Sequence, residues 1–177
     1  DFDLSNHQKY SGKKLQYFDP ETNESYVPYV VETSIGLDRT FLLVLSSAYN
    51  EEKLTKEDGT VDERVVLKIP AALAPVKLAI FPLVKKDGLP EMARKIMDDL
   101  KFDFACQYEE KDTIGKRYRR HDAIGTPFCI TIDHQTLEDE TVTIRYRDTM
   151  EQERVPASKL REIMADKVSI STLLKNI

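Results

Sequence analysis

The sequence predicts an α/β protein in two parts: a small hairpin-and-helix unit, then a mixed sheet with helices packed on it. Two observations lead there. From residue 76 onward, apolar residues recur alternately at strand period and at helix period. Near Pro70 to Pro75 the texture changes, and a short stretch of small residues separates two differently patterned segments. The predicted division is residues 1–74 and 75–177.

In the first part, KLQYF (13–17) alternates enough for a strand, and YVPYVVE (26–32) is a strong β run. Asp19, Pro20 and Asn23 supply turn chemistry between them. TSIG (33–36) is a small-residue bend. DRTFLLVLSSAY (38–49) is apolar almost all round, which predicts a helix buried in something larger. NEEKLTKEDGTVDER (50–64) is charged and carries Asp58-Gly59, the pattern of an exposed loop or a small insertion. VVLKIP (65–70) predicts a short strand, and AALAP (71–75) a linker.

In the second part, VKLAIFPLV (76–84) is a near-continuous apolar run, as in a buried parallel strand. LPEMARKIMDDLK (89–101) sets Ala93, Ile96, Met97 and Leu100 on one helical face, and Pro90 suits its first turn. FDFACQY (102–108) alternates, with Phe102, Phe104, Cys106 and Tyr108 on one side. KRYRRHDAIG (116–125) predicts a helix ending at Gly125. PFCITID (127–133), VTIRYRD (142–148) and QERVP (152–156) predict strands, and PASKLREIMADK (156–167) a last helix. The order βαβαβββα gives a mixed five-stranded sheet with flanking helices.

Composition narrows the function classes. A hydrophobic share of 41% and a charged share of 32%, with no Trp, describe a globular chain rather than a disordered or fibrous one. No apolar run approaches the roughly 18 residues that span a bilayer, so no membrane partner is expected. The first residues, DFDLSNHQKY, lack the basic start and apolar stretch of a secretory signal. A net charge of −5 argues mildly against broad nucleic-acid binding, although local clusters matter more when few nucleotides are contacted. Cys106 and Cys129 lie in strand-like apolar runs and are expected as buried thiols. His7, His121 and His134 are not at metal-ligand spacing, and no metal site is expected.

The stretch with most chemistry is VVETSIGLDRT (30–40). A strand would deliver Glu32 as a fixed carboxylate. The bend carries Ser34 and Gly36, and a glycine allows close backbone approach to a ligand. A helix starting near Asp38 favours anions at its N-terminus, and Arg39 adds a planar cation there. Such a segment could hold an ammonium at Glu32 and a phosphate or adenine at Arg39. The plainer alternative is that Asp38 caps the helix and Arg39 pairs with Glu32 or Asp38. Ser11-Gly12-Lys13-Lys14 lacks the flanking residues of a phosphate loop, and His121 has no partner arrangement for nucleophilic catalysis.

This stretch resembles motif 3 of class II aminoacyl-tRNA synthetases, in the form used by glycyl-tRNA synthetases of the homodimeric type. Those enzymes commonly show Val-Ile-Glu-Pro-Ser-x-Gly-x-x-Arg, and this chain reads Val-Val-Glu-Thr-Ser-Ile-Gly-Leu-Asp-Arg. Upstream, DFDLSNHQKYSGKKLQYFD is similar to the family's Asp-Leu-x-x-His and Ser-Gly-Lys-x-Leu segment. Downstream, LKIPAALAPVKLAIFPLVKK and GKRYRRHDAIGTPFCITID resemble the entry to its anticodon-binding domain and a helix–Gly-x-Pro–strand within it. The resemblance covers nearly the whole chain. It departs at Thr33, where the family usually has Pro.

The resemblance implies roles. Glu32 and Ser34 would bind the amino group of glycine, and Glu32, Thr33, Ser34, Ile35 and Gly36 would floor a pocket that admits no side chain. Gly36, Leu37, Asp38 and Arg39 would touch ATP, with Arg39 against the adenine and the terminal phosphate. ATP with Mg2+ would serve the full-length enzyme, with neither held tightly by this chain alone, and no residue here would act as acid or base. Motifs 1 and 2 are not found, so the chain is expected to be an inactive C-terminal portion of a cytoplasmic homodimer. Residues 76–177 resemble the anticodon-binding domain shared by the glycyl, histidyl, prolyl and threonyl enzymes, which implies glycine tRNA as partner. The electrostatic candidates are Lys116, Arg117 and Arg120, with Arg119 beside them, Tyr118 for stacking, and Arg145 with Arg147 on one strand face. The helix charges cannot all meet one ligand, because residues two apart do not share a helical face. Two readings compete: a non-catalytic tRNA-binding module or synthetase paralogue, and an unrelated small α/β enzyme. Retention of Glu32, Ser34 and Arg39 weighs against the first. The absence of a nucleophile, metal cluster or phosphate loop weighs against the second.

Overall fold

A computed structural model describes residues 2–55 and 59–175. By packing the chain divides into two units, Asp1–Thr40 and Phe41–Ile177.

The first unit opens with a helix, α1 (Phe2–Ser11), none of whose residues is buried. Gly12 stops it at φ 68°, donating its N–H to the Gln8 carbonyl at 2.9 Å. A short antiparallel hairpin follows, β1 (Tyr17–Asp19) and β2 (Glu24–Tyr26). The turn forms as its chemistry predicts: the Asp19 carboxylate accepts from the Glu21 N–H at 2.9 Å, and Asn23 takes φ 58°. The strands are shorter than expected, and the first is displaced: of residues 13–17 only Tyr17 lies in β1. Residues 27–36 form no regular structure, so the expected strand at 26–32 ends at Tyr26. Pro28, which has no N–H to donate, sits within that stretch. Helix α2 (Leu37–Ala48) then runs from the first unit into the second.

The second unit begins with the C-terminal turns of α2. Val44, Leu45 and Ala48 pack with Leu67, Ile69 and Ala74, while Phe41, Leu42 and Leu43 stay exposed. Residues 50–55 and 61–64 are not the loop that their charge suggested. They form most of a regular antiparallel hairpin, β3 (Tyr49–Thr55) and β4 (Val61–Leu67). Arg64 and Val66 point inward and Glu63 and Val65 outward, the period-two pattern of a half-buried strand. Asp58, expected in the turn, lies outside the described residues.

The five-stranded sheet has the order β6-β5-β7-β8-β9. Its strands are β5 (Leu78–Pro82), β6 (Cys106–Tyr108), β7 (Phe128–Ile132), β8 (Thr141–Tyr146) and β9 (Gln152–Pro156). β5 pairs in parallel with both β6 and β7, and the β7–β8 and β8–β9 pairs are antiparallel. β5 is buried on both faces, as its continuous apolar run predicted. On one face, Leu78 and Ile80 pack with Leu89, Ala93, Ile96 and Leu100 of α3 (Leu89–Leu100), and with Leu160 and Met164 of α6 (Leu160–Lys167). On the other, Ala79, Phe81 and Cys129 meet Ile114 and Tyr118 of α4 (Ile114–Ala123). The expected strand at 102–108 shortens to three residues. Phe102 and Phe104 take opposite environments in the turn before it, exposed and buried respectively. Two short helices of this unit were not expected, α5 (His134–Asp139) and α7 (Ile170–Lys175), and neither was α1 in the first unit. Asp133 starts α5 with a capping box, its carboxylate accepting from the Thr136 N–H at 3.1 Å.

All three parallel strands end at one edge of the sheet. There the chain leaves Pro82, Tyr108 and Ile132 and enters the N-termini of α3, α4 and α5. In open α/β sheets this carboxyl edge is where ligands bind.

Candidate functional site

Two places carry the expected site residues, and each lies within its own unit. In the first unit, Glu32, Thr33, Ser34, Ile35, Gly36, Leu37, Asp38 and Arg39 are all exposed. The Ser34 hydroxyl donates to the Glu32 carboxylate at 3.1 Å, so the two groups expected to meet an ammonium are already together. The Gly36 carbonyl accepts from the N–H and the hydroxyl of Thr40, both at 3.0 Å, which sets the first turn of α2. A methyl group on Gly36 would meet only the aliphatic stem of Arg39, at 4.0 Å. Among the described residues, Arg39 pairs with neither Glu32 nor Asp38. The ion pairing in the plainer alternative for this segment therefore does not form. The stretch presents a carboxylate, a hydroxyl and a guanidinium to its surroundings within eight residues.

In the second unit the basic cluster is mostly turned inward. Lys116 is exposed. Arg117 is only 2% exposed. Its guanidinium donates to the carbonyls of Pro82 at 2.6 Å, Leu83 at 3.2 Å and Glu109 at 3.4 Å, and it lies 5.6 Å from the Phe81 ring centre. Burial lowers its pKa from the ordinary value, with Glu109 opposing. Arg119 holds the β3–β4 hairpin, donating to the Glu63 carbonyl at 2.7 Å and to the Asp62 carboxylate. Arg120 is exposed but engaged: it pairs with Glu109 at 2.5 Å and Asp112 at 2.9 Å, and donates to the Lys111 carbonyl at 2.9 Å. Tyr118 does not offer a free ring. Its hydroxyl bonds Thr131 at 2.6 Å, and Arg145 stacks 4.6 Å from its centre.

Arg145 and Arg147 are buried as well. Arg145 grips both oxygens of Asp122, at 2.8 and 3.0 Å. Burial works against its charge, and the hydrogen bonds to Asp122 outweigh that, so its pKa rises. Asp122 is fully buried and also accepts from Arg64 at 3.0 Å. Arg64 donates in addition to the Arg147 carbonyl at 3.0 Å and to Glu52 at 2.6 Å, and Arg147 to the Gly125 carbonyl at 2.8 Å. One buried carboxylate thus ties the hairpin, α4 and β8 together. Gly125 ends α4 at φ 83°, and a Cβ there would meet the Leu67 carbonyl at 3.1 Å.

Sequence reasoning missed Arg64, a further buried cation, and Asp122, Glu52 and Glu109, carboxylates that occupy the arginines. The two thiols are unpaired. Burial pushes Cys106 up to about 11 and Cys129 to about 12. Among the described residues no group of three or more His, Cys, Asp or Glu converges on a metal position.

The anticodon binding domain family matches residues 77–167, just over half of the chain. The chain belongs to the anticodon binding domain family. That domain comprises the five-stranded sheet with α3, α4, α5 and α6. Beyond it, the chain is 55% identical over 168 residues to a glycine–tRNA ligase of Chlorobaculum tepidum, covering 95% of this chain and 35% of that protein. It is 48% identical over 160 residues to a glycine–tRNA ligase of Treponema denticola, covering 90% of this chain and 36% of that one. The chain therefore spans about a third of these relatives' length. A prolyl-tRNA synthetase structure from Cryptosporidium parvum shares the fold, with a TM-score of 0.54 at 16% identity over 70% of this chain and 32% of that one.

Proposed function

We propose that this chain is the motif 3 segment and tRNA-reading portion of a glycine–tRNA ligase, which activates glycine with ATP and transfers it to glycine tRNA. One observation carries the proposal: an alignment at 55% identity with a glycine–tRNA ligase runs through 95% of the chain, far past the anticodon binding domain itself. In this reading residues 1–74 complete a catalytic domain and residues 75–177 read tRNA. Glu32 and Ser34 receive the glycine ammonium. A charge-assisted pair of this kind is strong once the site is closed from water. The segment 32–36 floors a pocket that rejects side chains by steric exclusion. Gly36, Leu37, Asp38 and Arg39 meet ATP, with the uncommitted Arg39 guanidinium against adenine and phosphate. The described residues do not make a metal cage, so Mg2+ would enter with the ATP phosphates, and no step here runs through it. The remaining active-site groups lie outside this chain, which is inactive alone, and the ligase works as a cytoplasmic homodimer.

For the anticodon domain, the carboxyl edge of the parallel strands is the surface that meets RNA. It gathers the N-termini of α3 and α4 and the exposed lysines Lys85, Lys86, Lys111 and Lys116. Of the cations expected there, Lys116 and Arg120 are exposed, whereas Arg117 and Arg145 serve inside the domain.

A chimera tests the proposal. These 177 residues replace the aligned stretch of the Chlorobaculum ligase, and charging of glycine tRNA is measured. Charging is expected, with Glu32→Ala in the chimera lowering glycine-dependent pyrophosphate exchange on the order of 100-fold. A folded, dimeric chimera that cannot charge the tRNA contradicts the assignment.

A further inference from the structure

We propose that Arg117 is a positioning residue: it fixes the loops after β5 and β6 in the geometry that meets RNA, without touching RNA itself. The inference rests on the tRNA-reading function proposed above. A guanidinium buried to 2% exposure with no carboxylate bonded to it is expensive to maintain. If this position needed only packing, a Leu or Met would serve better. What Arg117 does that an apolar residue cannot is bridge two separate loops. Its Nη atoms donate to Pro82 and Leu83, where the chain leaves β5 for residues 83–88, and to Glu109, where it leaves β6 for residues 109–113. A planar fork sets the angle between acceptors as well as their separation, which an ammonium does not.

The rest of α4 supports the same task. Residues 117, 120 and 121 share one helical face. Arg120 holds Glu109, Lys111 and Asp112. His121 lies 3.5 Å from the Glu109 carboxylate. The face is a three-pronged clamp on residues 109–112, and Arg117 alone extends it to the loop after β5. Arg117 and Arg120 therefore act on backbone and carboxylate groups of these loops, and the loops carry side chains that face solvent.

The test uses the whole 177-residue chain. Affinity is measured for a glycine tRNA transcript and for the same transcript with an altered anticodon, well below the melting temperature. Arg117→Lys keeps the charge and loses the fork. Arg117→Gln keeps a donor for one carbonyl and loses the charge. Ile144→Val, in the core on the far face of the sheet, controls for general destabilisation. The expected result is that Arg117→Lys lowers the ratio of the two affinities about five- to tenfold, with Arg117→Gln lower still and Ile144→Val unchanged. Amide exchange in 83–88 and 109–113 should quicken in the Arg117 variants alone. Unchanged discrimination in both Arg117 variants, or an equal loss in Ile144→Val, overturns the positioning role. A wild-type chain that binds both transcripts alike overturns the tRNA-reading function, and the positioning role with it.

Discussion

Asp122 shows how much one residue decides here. It has no exposed surface and holds Arg145 and Arg64 together. Asp122→Asn would leave the buried Arg145 guanidinium without its counter-charge and Arg64 with Glu52 alone, and the expected loss is about 3–5 kcal/mol of unfolding free energy. Urea denaturation measures it; a loss under about 1 kcal/mol would mean that the cluster is hydrated. His121 gives a pH dependence. Burial lowers its pKa from the ordinary 6.5, while Glu109 opposes. The folded state therefore prefers the neutral ring. That contribution is complete above about pH 6.5 and is lost as pH falls through the lower folded value. Asp112, held low by Arg120, titrates only further down, in the carboxylate range. The urea midpoint is thus expected to begin falling below about pH 6.5, and His121→Gln to remove that first decline. A wild-type midpoint flat from neutrality to about pH 5 would contradict it. The thiols give a third expectation. With pKa values of about 11 and about 12, neither Cys106 nor Cys129 forms thiolate near neutrality. Alkylation at about pH 8 should be slow in the folded chain and fast in urea. Rapid labelling of Cys129 without denaturant would show that β7 opens.

At the scale of elements, the β3–β4 hairpin is the instructive case. Its charges suggested an exposed loop, yet Arg64 and Val66 face inward and lock it against α4. A charged side chain is read as solvent-facing unless its partner is known, and the partner, Asp122, lies 58 residues away. The same blindness affected the anticodon candidates. Arg117 and Arg145 were visible as cations, but nothing local revealed that carbonyls and a carboxylate would bury them. Elements with strong periodicity were legible: β5 from its continuous apolar run, α3 from its apolar stripe, and α4 from its closing glycine. The short helix α5 has too few residues to show a period, although Asp133 and Thr136 form its capping box. Gly125 joins helix to hairpin. Its φ of 83° and the Leu67 carbonyl 3.1 Å from a Cβ both penalise any side chain. Gly125→Ala is expected to cost about 1–2 kcal/mol, seen as a lower melting temperature. An unchanged melting temperature would mean that the hairpin can withdraw from α4.

For the molecule as a whole, the mixed five-stranded sheet followed from the alternation of strand and helix patterns, whereas the packing division falls between Thr40 and Phe41 and not at the expected 74/75. The site segment was legible as chemistry, because Glu32, Ser34, Gly36 and Arg39 fall within eight residues. Its ligands were not, because in the proposed function the groups that close a pocket around it belong to other parts of the enzyme. If the chain binds RNA as proposed, its net negative charge confines that contact to a restricted surface. The carboxyl edge of the sheet, with its lysines and helix N-termini, is such a surface. The most direct test is binding of the chain to glycine tRNA and to the same tRNA with an altered anticodon, at two salt concentrations. The account predicts weak binding that favours the unaltered anticodon and keeps that preference as salt rises. Equal binding to both, vanishing with salt, would be generic electrostatics and would contradict it.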